Sequence, residues 1–272
     1  MVKFPRLKKF LAKFYIYLVL LVMYLPILVL MIFSFSPSDT LGNWDEGFSF
    51  ELYGRLFRNE ALMTAVGNTL LIAIVSAIVS TIIGTLGAVG VFYSKKKTRK
   101  TVETMTQLPV VNAEIVMALS LAVVFKTLNT SYSFFTLLIG HVVLTVAFVY
   151  LNVKPKLVQM DPNTYEAALD LGSTPWFAMF KVILPEILPG ILSGFMIALT
   201  LSLDDFVLTQ YLKEPSFETI STYIQKIVTK HPIPAEVRAL TTLLALAVFA
   251  SVILITIYNN KKANVVVKGR RK

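Results

Sequence analysis

Long apolar stretches separated by short polar segments predict that this chain forms a bundle of membrane-spanning helices. A helix needs about 20 mostly apolar residues to cross the hydrocarbon core of a bilayer. The candidate stretches are Phe14–Phe35, Ala65–Tyr93, Val110–Phe125, Phe134–Leu151, Ile187–Leu203 and Leu240–Tyr258. The second is long enough to tilt or protrude, and the short fifth stretch can continue through residues 206–212. We therefore expect an all-α membrane protein with six transmembrane helices.

The composition supports a protein in lipid and excludes several kinds of chemistry. Of the 272 residues, 56% are hydrophobic and 15% are charged, whereas about 25% of the residues in a soluble domain are charged. The chain has no cysteine, which excludes disulfides, iron–sulfur clusters, cysteine-type zinc sites and thiol catalysis. A soluble globular enzyme is therefore not expected.

The net charge of +10 predicts how the bundle is oriented. Lysine and arginine concentrate before the first span, between spans two and three, between spans four and five, and after the last span. By the positive-inside rule, these segments and both termini are cytoplasmic. The first span is then an uncleaved signal anchor of a multi-pass cell-membrane protein. The basic excess favours contact with anionic membrane lipid, and nucleic-acid binding is not expected.

Small residues recur every four positions in spans two and five. These stripes are Ser76, Ser80, Gly84 and Ala88, and Gly190, Gly194, Ala198 and Ser202. Residues four apart share one helix face, and small side chains there allow two helix backbones to approach closely. We expect spans two and five to be buried, and spans one and six to face lipid.

The loop that joins spans four and five carries its own folding signals. Asp161 is a helix-capping residue, Gly172 is typical of a helix C-terminus, and Thr174 before a proline is a second cap. These signals predict a helix–turn–helix on the inner membrane face. Ala167 and Ala168 would give its first helix a low-relief surface that fits the groove of a partner protein.

This loop resembles the EAA loop of ABC importer permeases. The matching positions are Glu166, Ala167, Ala168, Gly172, Val182, Leu184 and Pro185, with valine at 182 where the family usually has isoleucine. The resemblance implies that Glu166, Ala167, Ala168, Gly172, Leu184 and Pro185 couple the permease to a separate ATPase. It also implies a type I importer transmembrane domain over residues 63–260, with coupling loop 161–185. Residues 1–62 would precede this domain and a basic tail, 261–272, would follow it.

Further segments resemble the polyamine branch of that family, the spermidine/putrescine permeases. They are residues 114–120, 202–206, 215–218 and 234–240, with Glu114 where aspartate is usual. Permeases for iron, phosphonates and other solutes share parts of this pattern. The resemblance implies three partners: an ABC ATPase dimer, a second homologous permease and an extracytoplasmic polyamine-binding protein.

The chain lacks the motifs of a self-sufficient motor or enzyme. No G-x-x-x-x-G-K-[ST] phosphate loop is present, so we expect no cofactor in this chain, with ATP and Mg bound by the partner ATPase. His141 and His231 are far apart in sequence and have no neighbouring ligand pattern. Neither a metal site nor a Ser–His dyad is expected, and the chain is predicted to be non-catalytic.

Carboxylates in the apolar spans are the candidates for a substrate path, because ionisable groups in a bilayer are costly unless they are paired or hydrated. Glu114 is expected in the inner part of span three, and Asp204 and Asp205 at the outer end of span five. Aromatic side chains complete the predicted path through cation–π contact with ammonium groups: Phe206, Tyr211, Trp44 and Tyr53. Alternatively, the aspartates face water, Glu114 is a structural polar residue, and the aromatic rings are interfacial anchors.

These features predict the membrane subunit of an ATP-driven polyamine importer that works by alternating access. The first alternative is an ABC permease for another solute such as iron or phosphonate. A second alternative is a self-sufficient secondary transporter or channel, although the two halves of the chain show no convincing inverted repeat. A third is a membrane scaffold without a substrate path.

Overall fold

The computed structural model describes residues 5–38, 40, 42–45, 47–161, 163–229, 234–247 and 249–250, with side chains from residue 13 onward. Regular structure in these ranges is helical, and they contain no strand. The chain divides into two compact units, residues 1–63 with 227–272, and residues 64–226.

The first unit contains the first membrane helix and the segment that follows it. Helix α1 spans Pro5–Phe33, and its part from Lys13 onward is long and apolar enough to cross a membrane. Helix α2 is Glu51–Arg58, and residues 235–247 are also helical. The guanidinium group of Arg238 donates to the backbone carbonyl of Ser38, which ties this last helix to the segment after α1.

The second unit contains the rest of the bundle. Its helices are α3 (Glu60–Phe92, which starts just before the unit), α4 (Lys96–Met105), α5 (Leu108–Val111), α6 (Glu114–Thr127), α7 (Phe134–Gln159), α8 (Asn163–Asp170), α9 (Pro175–Ala178), α10 (Leu184–Asp204), α11 (Val207–Leu212) and α12 (Ile220–Val228). A π-helical turn, Met179–Ile183, joins α9 to α10.

The third predicted span is broken, which corrects the continuous helix expected over Val110–Phe125. Asn112 and Ala113 adopt extended backbone conformations between α5 and α6. As a result, the segment Lys96–Val111 is bent by 106° from Glu114–Thr127. The described residues therefore hold four long apolar helices, or five spans if the bent pair counts as one. The sixth predicted span ends outside the described residues, from position 251 onward, as does the basic tail 261–272.

The coupling loop and span five share one helix, whereas the sequence predicts a separate loop helix and a span that begins at Ile187. The structure has an uninterrupted helix from Pro175 to Asp204. In its π-helical turn the N–H of Leu184 bonds the carbonyl of Met179, five residues back. This wider turn precedes Pro185, which has no N–H to donate, so the helix continues through the proline.

Helix α7 is the centre of this unit, and both small-residue stripes pack against it. A Cβ atom at Gly84 would lie 2.7 Å from Cβ of Val149, and one at Gly190 would lie 2.9 Å from the carbonyl oxygen of Asn152. The predicted close packing at the stripes is confirmed. Among the long apolar helices described here, however, α7 is the most buried. The buried share of its most apolar stretch is 50%, compared with 39% for α3 and 28% for the helix that contains α10.

Substitution of the stripe glycine should destabilise the bundle. Gly84→Ala would force its new methyl group into Val149, at a cost of about 1–3 kcal/mol, and should lower the thermal unfolding temperature of the purified transporter in detergent. Gly87→Ala is the matched control, because a Cβ at Gly87 meets no atom within 4 Å. Equal unfolding temperatures for the two variants would contradict this packing.

Candidate substrate site and coupling loop

Two helix breaks meet at a group of carboxylates. Helix α6 begins at Glu114, directly after its break, and α10 ends at Asp204, one extended residue before the chain turns into α11. The Glu114 carboxyl group lies close enough to Asp205 and Asp204 to interact electrostatically with both. The expectation that Glu114 and the aspartates lie at different depths is therefore wrong. The break before α6 lets its first residue reach the end of α10.

Asp205 is held by hydrogen bonds from its own chain, which contradicts the alternative in which both aspartates face water, and its place in the substrate path stays a prediction. Its side chain is buried, and its two oxygens accept the backbone N–H groups of Leu208 at 3.1 Å and Thr209 at 2.8 Å. The hydroxyl group of Thr209 also donates to Asp205 Oδ2, at 2.6 Å. A carboxylate in this position satisfies the free N–H groups at the start of α11 and complements its positive end.

His141 joins this carboxylate to three helices. Its Nε2 atom lies 3.1 Å from Thr209 Oγ1 and 3.4 Å from Asp205 Oδ2, and its Nδ1 atom lies 2.7 Å from Ser202 Oγ. Because the Thr209 hydroxyl donates to Asp205, Thr209 Oγ1 accepts from His141 Nε2–H, and in a neutral ring Nδ1 accepts from Ser202. The sequence analysis missed this buried contact between Ser202 and His141. The sequence signal that could have identified His141 is its position as an ionisable residue within an apolar span, because such residues are functional candidates.

The polar contacts continue from His141 to α3 and complete a buried network. Ser202 Oγ lies 2.9 Å from Ser76 Oγ, and Ser80 Oγ lies 2.6 Å from Thr145 Oγ1. The Thr145 hydroxyl in turn donates to the His141 carbonyl at 2.7 Å. All of these groups are buried. The network therefore fixes α3, α7, α10 and α11 to one another, and the serine that contacts the histidine is not exposed as a nucleophile.

Two of the predicted carboxylates remain accessible beside this network. Asp204 is exposed and Glu114 is half-buried. Phe206 is half-buried directly before α11, and Tyr211 is 39% exposed on that helix. The structure thus brings the carboxylates together at the start of α6 and the end of α10, with Phe206 directly before α11 and Tyr211 near the other end of that short helix.

The other two aromatic residues of the predicted path belong to the first unit. Trp44 packs against Phe33, with ring centroids 5.7 Å apart. The hydroxyl group of Tyr53 lies 2.8 Å from Ser34 Oγ, and its ring packs against Phe35 at 5.7 Å. These contacts give both rings a structural role in their unit, and their place in a substrate path stays a prediction.

The coupling loop has the predicted helix–turn–helix form. Gly172 ends α8 with φ of +86°, a conformation that glycine adopts without strain. The N–H of Ser173 bonds back to the carbonyl of Ala168, and the Thr174 hydroxyl oxygen accepts the N–H of Phe177 at the start of α9. The helix end at Gly172 and the cap at Thr174 are confirmed.

The outer face of this loop differs from the surface expected from its two alanines. Glu166 and Ala167 are exposed, whereas Ala168 is buried against the protein, so the predicted alanine pair does not form a common docking surface. Large apolar side chains are exposed instead, with Leu171 88% and Trp176 71% accessible. Such a group of apolar residues at a polar surface is typical of a protein interface.

An aromatic contact links the loop to α3. The rings of Tyr165, one residue before Glu166, and Tyr93, just after α3, have centroids 5.2 Å apart. At its other end the loop continues without interruption into α10. A displacement of α8 would therefore act on two helices of the bundle.

Comparison with known proteins identifies the family. Residues 80–261 match the family described as the binding-protein-dependent transport system inner membrane component. The chain belongs to this family. Its members are permease subunits of ABC importers, which agrees with the expected family and with a multi-pass membrane location.

Curated relatives of this permease include two from Escherichia coli (strain K12). The spermidine/putrescine transport system permease protein PotC is 34% identical over 235 residues, which cover 86% of each chain. The putrescine transport system permease protein PotI is 34% identical over 233 residues, which cover 83% of this permease and 82% of PotI.

Solved structures support the fold of the permease. A bacterial ABC transporter involved in the import of the acidic polysaccharide alginate matches with a TM-score of 0.74 and 14% identity, covering 96% of this permease and 98% of that chain. An amino acid ABC transporter with histidines matches with a TM-score of 0.53 and 18% identity, covering 75% and 94%. The fold is that of a type I ABC importer transmembrane domain.

The two adjacent aspartates should respond differently to neutralisation. Asp205→Asn replaces an oxygen that accepts hydrogen bonds with an amide group that cannot, which should cost about 1–3 kcal/mol and lower the thermal unfolding temperature of the purified transporter. Asp204→Asn, at an exposed position one residue earlier, should leave that temperature unchanged. A stable Asp205→Asn variant would contradict the role of Asp205 in holding α11.

Proposed function

We propose that this permease is the membrane subunit of an ATP-driven importer of polyamines such as spermidine and putrescine. The observation that carries the proposal is the meeting of Glu114, at the start of α6, with Asp204 and Asp205, at the end of α10. Substrate sites of membrane transporters commonly form where spanning helices are discontinuous. The identity to PotC and PotI over most of the chain gives the same substrate class.

The chemistry of the site favours an organic cation over the other solutes of this family. Adjacent carboxylates repel each other, and a bound cation relieves the repulsion. A polyamine carries two or more ammonium groups on a flexible apolar chain, so one ammonium group would bind Glu114 and Asp204 while Phe206 or Tyr211 contacts the rest. A phosphonate is an anion and would be repelled by these carboxylates. Iron is a cation and would also be attracted, so uptake measurements with both iron and polyamines are needed to identify the cargo.

The permease would work with three partners. A dimer of ABC ATPase subunits binds ATP and Mg, a second homologous permease forms the other half of the path, and an extracytoplasmic binding protein delivers the polyamine. The alginate transporter has also been crystallised in complex with an alginate pentasaccharide-bound periplasmic protein. In this arrangement the present chain performs no catalysis, and both of its termini lie in the cytoplasm of the cell.

Coupling would run along α10 from the loop to the site. The exposed residues of α8, of α9 and of the turn between them, including Glu166, Leu171 and Trp176, would dock on the ATPase. Helix α10 carries 21 residues from Leu184 to Asp204, so it spans about 30 Å. Closure of the ATPase dimer would tilt this helix and move Asp204 relative to Glu114, which alternates access to the cation.

Neutralising the accessible carboxylates should weaken polyamine uptake. Glu114→Gln and Asp204→Asn each remove one charged hydrogen bond to an ammonium group, worth about 1.5–3 kcal/mol, and should raise the half-saturating spermidine or putrescine concentration roughly 10- to 100-fold. Uptake of labelled polyamines by cells without other polyamine transporters measures this effect. Iron and phosphonate uptake are assayed in parallel.

The controls for this experiment separate binding from folding. The amount of each variant in the membrane and its thermal unfolding temperature should match those of the unmodified transporter. Unchanged half-saturation in both variants would contradict the proposed site. Uptake of iron or phosphonate without polyamine uptake would assign another cargo, and transport by the permease reconstituted alone would indicate a self-sufficient transporter.

Altering the coupling loop should separate ATP hydrolysis from transport. Glu166→Lys reverses an exposed charge on α8, and Gly172→Pro prevents the positive φ that ends this helix. Both variants should insert into the membrane and retain ATPase activity, while polyamine uptake falls to near background. Glu186→Lys, an equal charge reversal at an exposed position on α10, is the control and should transport normally. Normal uptake by the loop variants would remove the coupling assignment.

A further inference from the structure

An apolar groove of about 340 Å³ lies between α3, α7 and the bent segment α4–α5, away from the carboxylates. It is lined by Ile83 and Gly87 of α3, Met105 of α4, Pro109 of α5, and Val146 and Tyr150 of α7, among others. The groove exists because the 106° bend before α6 carries α4 and α5 to one side of the bundle. Its lining is almost entirely apolar, which suits a hydrocarbon chain.

A basic cluster lies on α4, the same helix that lines part of the groove. Tyr150, which lines the groove, interacts electrostatically with Glu103 and Arg99 of α4. A second cavity of about 460 Å³ lies at these residues and is also lined by Lys96 and Lys100. Helix α4 therefore contributes to both cavities: Val102 and Met105 line the apolar one, and Arg99 and Glu103 line the basic one.

The charge balance of this cluster is positive. Lys154 and Arg99 each form a 2.9 Å ion pair with Glu103, and hydrogen bonds from these two cations lower the pKa of the Glu103 carboxyl below its ordinary value. That carboxylate thus remains charged and holds Arg99 in place. Lys96 and Lys100 are exposed at the same cavity and add positive charge that Glu103 alone does not balance.

We propose that this groove and the basic cluster on α4 form a binding site for an anionic phospholipid, with one acyl chain in the groove and the phosphate group at Lys96, Arg99 and Lys100. The charge complementarity selects this occupant. Transfer of an acyl chain from the surrounding lipid tails to an apolar protein surface provides little binding free energy. The headgroup therefore determines which lipid binds. Basic pockets beside membrane helices hold anionic headgroups in this way. The predicted orientation places the site in the inner leaflet, and the proposal does not depend on the polyamine assignment.

Two glycines of α3 provide a matched test of the groove. A side chain at Gly87 would enter the groove, whereas Gly90 does not line it, and a Cβ at either position meets no atom within 4 Å. The full-length permease, in the assembly with which it copurifies, is placed in vesicles of phosphatidylcholine. The vesicles contain a trace of phosphatidylglycerol or phosphatidylcholine with a photoreactive group on one acyl chain. Labelled peptides are then identified by mass spectrometry.

Phosphatidylglycerol should label the groove-lining parts of α3 and α7 with a preference over phosphatidylcholine of roughly tenfold. Gly87→Leu should abolish this labelling and Gly90→Leu should retain it. A Lys96→Gln/Lys100→Gln double variant should keep some labelling but lose the preference for phosphatidylglycerol. Equal labelling by the two lipids, or labelling that survives Gly87→Leu, would overturn the proposal. So would crosslinks that join the groove to another protein subunit in place of lipid.

Discussion

The hydrogen bonds between His141, Thr209 and Asp205 hold together the region on which the rest of this structure depends. A break in a membrane helix exposes backbone N–H groups that find no water in the surrounding lipid. Asp205 accepts two of these groups at the start of α11, and His141 fixes the same carboxylate to α7. The break between α10 and α11 is therefore maintained by specific polar partners in this conformation.

The same region forms one end of a continuous helix whose other end is the coupling loop. The π-helical turn at Met179–Ile183 allows the chain to pass Pro185 without a break, so α9 of the loop and α10 form one continuous helix. Small residues on α10 let it lie directly against α7, where Gly190 and Gly194 approach the backbone of residues 149–152. A helix packed through small residues can tilt or slide against its neighbour with few side-chain collisions, which suits the proposed transmission of motion from the ATPase to the carboxylates.

The family assignment and the site geometry contribute different parts of the functional conclusion. The match over residues 80–261 establishes a binding-protein-dependent permease. The solved importers share its fold at low identity, and one of them imports an acidic polysaccharide, so the fold alone does not specify the charge of the cargo. The cargo proposal depends on the carboxylates at the two helix breaks and on the identity to PotC and PotI. The phospholipid proposal depends on neither, because it follows from the groove beside α4.

The sequence by itself determined the features that follow from local pattern. Apolar length predicted α1, α3 and α7, four-residue spacing predicted the packing stripes, and cap and glycine signals predicted the turn at Gly172 and Thr174. Only the tertiary structure decided what depends on contacts between distant segments. The bend at Asn112 and Ala113 brought Glu114 to Asp205, and the packing of α7 against α10 and α11 brought His141 to Ser202 and Thr209. Hydrophobic periodicity predicts which face of a helix is buried. It does not predict where a helix breaks, or which polar side chains form contacts across the bundle.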